Sequence, residues 1–275
     1  MHKIDNYTIG SDIEVFIQNK ETGKFISAAG DQTNDFITIV PGTKTNPYYI
    51  NDEKTFAIET DNVSIEFLVP PTNNKDKFRE NIQYMMNYIE KTLPAGLVPV
   101  AKASQEFEFD QLIAEQTKTF GCDRDFNAWT RRFNPKPDTN TNIRSNGFHI
   151  HVGYAKPNRR TSIELIKAMD LFIGLGSLKL DPDTNRRSLY GKAGACRFKP
   201  YGVEYRVLSS ELINSSESID WVFNSTINAI NYINSGSVVS SDLSGQIQDI
   251  INNSKVEESI KLTQSLVEKT MELIK

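Results

Sequence analysis

Two histidines one residue apart, His149 and His151, stand in the stretch 146–154, which reads NGFHIHVGY. In an extended chain successive side chains point to opposite faces, so the two imidazoles share one face and Phe148, Ile150 and Val152 share the other. One face is apolar and the other can coordinate a metal ion. The chain has three histidines in all, and two of them stand on this face between Gly147 and Gly153, where a ligand or another backbone can come close. An isolated His-x-His is ordinarily a pair of hydrogen-bonded strand residues, so further stretches must decide. Residues 10–16 read GSDIEVF, with Asp12 and Glu14 on one face and Ile13 and Val15 on the other. By itself this is an acidic edge in water. Residues 58–70 read as one strand stopped by Pro70-Pro71, with Asn62, Ser64 and Glu66 facing away from Val63, Ile65 and Phe67. Residues 201–209 give a further strand in which Gly202, Glu204, Arg206 and Leu208 share a face. A Glu and an Arg two apart make either a surface ion pair of small value or a metal ligand beside a charge clamp.

If these strands are neighbours in one antiparallel sheet, their common face gathers Asp12, Glu14, Glu66, His149, His151 and Glu204. An oxygen-rich set of this kind suits Mg²⁺ or Mn²⁺ better than a closed zinc site, which prefers thiolates and more imidazole. At the rim of that face the chain turns basic. Arg186, Arg187, Lys192, Arg197 and Lys199 crowd a loop containing Tyr190-Gly191-Lys192-Ala193-Gly194, and such a loop suits oxyanions, because amides approach phosphate oxygens while guanidinium groups grip them in pairs. Carboxylate-bound divalent ions beside arginines are what phosphoryl transfer from ATP requires. The sequence has no Walker-type loop and no kinase signature, so ATP must be held in another way. Lys44, in the loop 41–47, reads as a solvated lysine on its own terms.

The elements that must carry these residues follow from periodicity and punctuation. Turn signals dominate residues 18–49, with hairpin chemistry at 21–24. Residues 75–93 place Phe78, Ile82, Met85, Met86 and Ile89 on one helical face, and Pro94-Ala95-Gly96 ends the helix. Residues 97–104 read as a strand, 107–129 as irregular chain, and the prolines at 135 and 137 as a loop that delivers the histidine strand. Residues 162–178 form an apolar helix with Leu165, Ile166, Met169, Phe172 and Ile173 on its stripe. A helix over 216–233, capped by Ser216 or Ser218, a small-residue linker over 235–244, and an amphipathic helix over 256–274 complete the chain. The expected class is α+β, with helices packed on one face of an antiparallel sheet. One domain is expected, with a C-terminal helical segment from about residue 211.

Composition narrows the function classes. Over 275 residues the net charge is −4, which argues against general nucleic-acid binding. No run approaches the roughly 20 apolar residues of a membrane helix, and the amino terminus has neither the apolar core nor the cleavage site of a secretory signal. A cytoplasmic location is the expectation. The two cysteines, Cys122 and Cys196, have no zinc or redox partner pattern and read as plain thiols.

The ordered strings GSDIE at 10–14, PGTK at 41–44, DNVSIEF at 61–67, Gly121-Cys122, GFHIHVGY at 147–154, RRSLYGKAG at 186–194 and RFKPYGVEYRVLS at 197–209 resemble the phage-type carboxylate-amine ligases, amidoligase type 2. That family is grouped with the glutamine synthetase and glutamate-cysteine ligase superfamily. The resemblance implies a curved antiparallel sheet with helices on its convex side and ATP, Mg²⁺ or Mn²⁺ and substrates on the concave side. It implies metal ligation by Asp12, Glu14, Glu66, His149, His151 and Glu204, with Asp12 one methylene shorter than the usual glutamate. ATP would be held by Arg186, Arg187, Lys192, Arg197, Arg206 and Lys44, and catalysis would fall to Arg206, Arg187, Lys192 and Glu66. The implied reaction activates a small-molecule or peptide carboxylate as an acyl phosphate and joins it to an amine, with no nucleic acid or membrane partner, in the cytoplasm of an infected host cell if the gene is phage-borne. Two alternatives stay open: a phosphotransferase of the same superfamily, acting on guanidino or carboxylate groups, and a catalytically silent virion or host-interaction protein.

Overall fold

The computed structural model describes residues 2–29, 41–118, 124–137 and 141–272; Gly121 and Cys122 lie outside them. The long strand β1 (Thr8–Asn19) is the axis of an open antiparallel sheet. On one side of it run β5 (Ser64–Thr72), β4 (Ala57–Asp61) and the short β3 (Tyr48–Tyr49). On the other run β11 (Phe148–Gly153), β13 (Gly202–Tyr205), β12 (Ala195–Lys199), β8 (Phe126–Asn127) and β9 (Arg132–Phe133). The far half of β1 also pairs with β2 (Phe25–Ile26) and β6 (Leu97–Val100). A separate ribbon joins β7 (Ser104–Glu106) to β10 (Ile143–Ser145). With helices on one side, the class is α+β.

Alternation sorts the two faces. Ile13, Val15, Ile65, Phe67, Phe148, Ile150, Val152, Val203 and Tyr205 are all buried on the apolar side, where α1 (Lys75–Thr92), α2 (Arg159–Met169) and α5 (Ser216–Asn234) cover them. Phe78 of α1 lies 6.4 Å from Phe148 and 5.3 Å from Phe223 of α5, centroid to centroid, and so ties the two layers together. The start of α1 is fixed by Asn74, whose side chain accepts from the Lys77 amide at 2.9 Å.

Four expectations are corrected. Residues 58–70 are a hairpin and not one strand: Asn62, at φ 56°, turns the chain so that Asp61 opposes Ser64 and Glu59 opposes Glu66. Asparagine tolerates that left-handed conformation better than most residues. Nor do the prolines stop β5, which runs to Thr72. The β1 pairing shifts register between Ile9 and Ser11 at that place, and a bulge is where a strand accepts proline. Ser215, not Ser216 or Ser218, caps α5 through the Ser218 amide. Within the supposed linker, Ser240 caps a further helix, α6 (Ser241–Asn252). The last helix, α7 (Val256–Glu272), packs on α6 and on the short α3 (Leu175–Ser177). No helix among the described residues is long and apolar enough to cross a membrane.

The apolar helix expected over 162–178 changes pitch midway: α2 passes into a π turn at Asp170–Gly174 before α3. The turn aims the fully buried Asp170 at the back of the sheet, where it accepts from Trp129 Nε1 at 2.6 Å and Tyr205 Oη at 2.8 Å. Burial pushes its carboxyl up to about 7 against those two hydrogen bonds. The unfolded chain loses this proton near the ordinary value of about 3.9 and the folded protein keeps it, so stability falls as pH rises between the two values. Asp170→Asn should flatten that fall, recovering roughly 4 kcal/mol at most near pH 7.5 relative to pH 4. Urea midpoints of both proteins across that range are the check, and parallel curves would sink the assignment.

Candidate active site

Register assembles the polar face. Asp12 opposes His149 across β1 and β11, His151 opposes Glu204 across β11 and β13, and Glu204 opposes Arg197 across β13 and β12. On the other flank Glu14 opposes Glu66, which opposes Glu59. Six neighbouring strands thus lay their alternate residues in adjoining rows, as a period of two dictates. Gly147 is needed just before β11, because a β-carbon there would lie 2.2 Å from His149 Nε2. Its amide donates to Glu14 Oε2 at 2.6 Å.

Three sets of side chains bring ligand atoms within 4.8 Å of one another: Asp12 with Glu66 and His149, Asp12 with His151 and Glu204, and Glu14 with Asp61 and Glu66. Asp12 and Glu66 each belong to two sets, so the sets form one row. Asp12 reaches His149 Nδ1 at 2.8 Å and His151 Nε2 at 3.1 Å. Burial alone would raise its carboxyl, but the charges of His151 and His149 and the hydrogen bond with His149 outweigh burial and hold it well below the carboxylate range. Glu66 goes the other way: burial, then the charges of Asp12, Asp61 and Glu14, hold it well above its usual value. Glu59, beside it, is raised chiefly by burial. Glu204, fully buried, would be raised by burial and by Asp12, yet Arg206, His149 and His151 bring it down to about 2.

A divalent cation fits this donor set. His151 Nε2 and Glu204 Oε2 are both buried without an aligned hydrogen-bond partner, and crowded carboxylates need a positive charge among them. Asp12, Glu14, Glu66, His149, His151 and Glu204 are therefore all brought together, as the sequence led us to expect, and Asp61 and Glu59 join them.

The cationic residues divide. Arg206 bonds Glu204, lies 3.1 Å from His149 Nδ1 and donates through Nε to Asp125 at 2.7 Å, while Arg197 Nε stands 3.8 Å from Asp125. Arg186 lines a cleft together with Glu14, Asp61, Asp125, Arg144, His149 and Arg206. Its Nη2 donates to Leu208 O, but Nε and Nη1 are buried without partners, and burial and the neighbouring Arg187 lower its guanidinium to about 10. Arg187, expected beside it at the phosphate, is instead spent on backbone carbonyls of Gly191 and Val207. Lys192 lines a small pocket next door with Arg124 and Lys136. Lys44 pairs with Asp61 at 2.5 Å.

Asp61, Glu59 and Asp125 were not expected as site residues. The first two could have been found from the Asp61-Asn62 pair, a turn signal that folds residues 57–61 back onto β5. Asp125 carries no local signal, since it reaches Arg206 only through the pairing of β8 with β12.

The segment that supplies the histidine strand, the basic loop and Glu204 with Arg206 has a counterpart among known proteins. Residues 142–239 match the family described as Phage phiEco32-like COOH.NH2 ligase-type 2. The amidoligase resemblance read from the sequence is thus borne out for that segment, and the ligase family has carboxylate-amine joining as its named activity. The rest of the polar face, Asp12, Glu14, Glu59, Asp61 and Glu66, lies outside the matched residues and adjoins that segment through the pairing of β11 with β1. No curated protein matches the chain.

Proposed function

We propose that the protein is an ATP-dependent ligase that joins a carboxylate to an amine through an acyl phosphate. The observation that carries this reading is the row of three ligand sets sharing Asp12 and Glu66, with Arg206 and the unpaired nitrogens of Arg186 at its edge. Divalent ions bound there would neutralise the phosphate charge and draw the γ-phosphoryl group toward the acid. Arg206, fixed by Asp125 and Glu204, and Arg186, fixed by Leu208, are poised to stabilise the transferring group, which costs no reorganisation at the moment of reaction. A carboxylate oxygen attacks the γ-phosphorus and ADP leaves. The amine nitrogen then attacks the acyl carbon, and phosphate leaves with the bonding electrons. Glu59, which stands beside Glu66 outside the three ligand sets and whose carboxyl burial holds above the ordinary range, is the group on this face suited to take up the proton that the amine loses.

The test is ADP release by the purified protein with Mg²⁺ or Mn²⁺, against pools of amino acids and short peptides with and without amines. Amine-dependent ADP release supports the ligase. ADP release that ignores the amine would instead mark a phosphotransferase, and failure to bind nucleotide with either ion would overturn the reading at its first step.

A further inference from the structure

The turn that joins β12 to β13 carries a contact that ligation of substrates does not explain. Tyr201, half exposed, lays its ring along His151, with centroids 6.0 Å apart and planes inclined by 20°. Its hydroxyl sits 2.5 Å from His151 Nδ1. The backbone beneath it is held in turn, since the Tyr154 amide donates to Tyr201 O at 2.9 Å. At the other end of the imidazole, Nε2 lies 3.1 Å from Asp12 Oδ2 but off the line of a hydrogen bond, and it has no aligned partner. With Nδ1 carrying the proton and donating to the Tyr201 oxygen, the Nε2 lone pair is directed between Asp12 and Glu204, which is the tautomer a cation at that position selects. A ring held by its outer nitrogen with its inner nitrogen turned toward carboxylates is how a metal-binding histidine is set.

Glu204 shows the complementary feature. Its Oε2 is buried without an aligned hydrogen bond, and the Lys199 ammonium stands 2.9 Å away as an ion pair. Lys199 comes from the end of the same turn, two residues before Tyr201. From this geometry we infer that Tyr201 is the positioning residue of the metal position formed by Asp12, His151 and Glu204, and that Lys199 occupies the charge of that position until a divalent cation displaces it. The inference rests on the reading of this face as a metal site and adds to it two residues of opposite effect. Tyr201 raises affinity by fixing a ligand. Lys199 lowers it by competing for one.

The experiment is a Mn²⁺ titration of the full chain followed by the electron paramagnetic resonance of free Mn²⁺. Tyr201→Phe keeps the ring and removes the oxygen, and it should weaken one class of bound Mn²⁺ by about ten-fold or more while leaving the remaining ions as they are. Lys199→Met removes the competing ammonium and should tighten the same class several-fold. A role confined to folding would move both variants in one direction. In a His151→Ala background, Tyr201→Phe should cause no further loss, because the residue it positions is gone. Wild-type affinity in Tyr201→Phe, additive losses in the double variant, or weaker binding in Lys199→Met would each overturn the inference and leave the ligase reading standing. Absence of Mn²⁺ binding by the wild type would overturn both.

Discussion

Glu204→Gln should lower amine-dependent ADP release by about a thousand-fold, the upper end of what removal of one transition-state stabiliser does. The side chain is fully buried between two cations and an imidazole. It bonds Arg206, faces Lys199 at 2.9 Å and lies 3.8 Å from His149 Nδ1. Glutamine has the same shape and can still accept from Arg206, so the strand pairing of Glu204 with His151 and Arg197 should survive. What is lost is the negative charge, which Arg206 and the two histidines hold in place by bringing the carboxyl down to about 2. Without it the position made by Asp12, His151 and Glu204 keeps a single carboxylate against Arg206 and Lys199. Mn²⁺ should then fail to bind at that position, and Arg206 should lose the partner that aims it. Turnover measured with the substrates found by the pool assay, together with a Mn²⁺ titration, decides the matter. A variant that keeps wild-type turnover would remove Glu204 from the chemistry.

Glu204 also marks how far the sequence could be read. Alternation within one strand is a local property, so the ligand faces of β1, β11 and β13 were legible from their own residues. That these faces adjoin depends on which strands pair, and alternation does not encode pairing. The hairpin of β4 and β5 shows the cost: read as one strand, residues 58–70 offer Glu66 alone, whereas the turn at Asn62 brings Glu59 and Asp61 beside it. Asp125 was illegible for the same reason on a larger scale, because it meets Arg206 across strands far apart in sequence. The basic loop failed differently. Charge density identified it, but nothing in a run of arginines says which guanidinium groups face a ligand and which are consumed by the backbone around them.

Arg187→Ala should cost about 3–5 kcal/mol of stability, the range found when one member of a buried ion pair is removed, with any loss of turnover following from unfolding. The side chain is 1% exposed. Its Nη1 serves the carbonyls of Gly191 and Val207, and its Nη2 stands 3.8 Å from the equally buried Asp181. Gly191 is held at φ 69°, and a β-carbon there would meet Arg187 Nη1 at 2.7 Å and Arg186 Nη1 at 2.4 Å. The glycine that suggested a phosphate loop is therefore needed so that the chain can close around its own arginines. Alanine at 187 would leave two carbonyls without their donor and Asp181 without its counter-charge. Lysine should rescue little, since one ammonium cannot reproduce the planar fork that reaches both carbonyls and Asp181. For a chain of this length the thermal midpoint should fall by roughly 10 °C. A folded Arg187→Ala protein with wild-type melting and lost ADP release would instead return Arg187 to the phosphate. Arg186, its neighbour on the short helix α4 (Thr184–Leu189), differs in lining the cleft beside Glu14, His149 and Arg206, which Arg187 does not reach, and that difference is what assigns the anion to one arginine and the loop to the other.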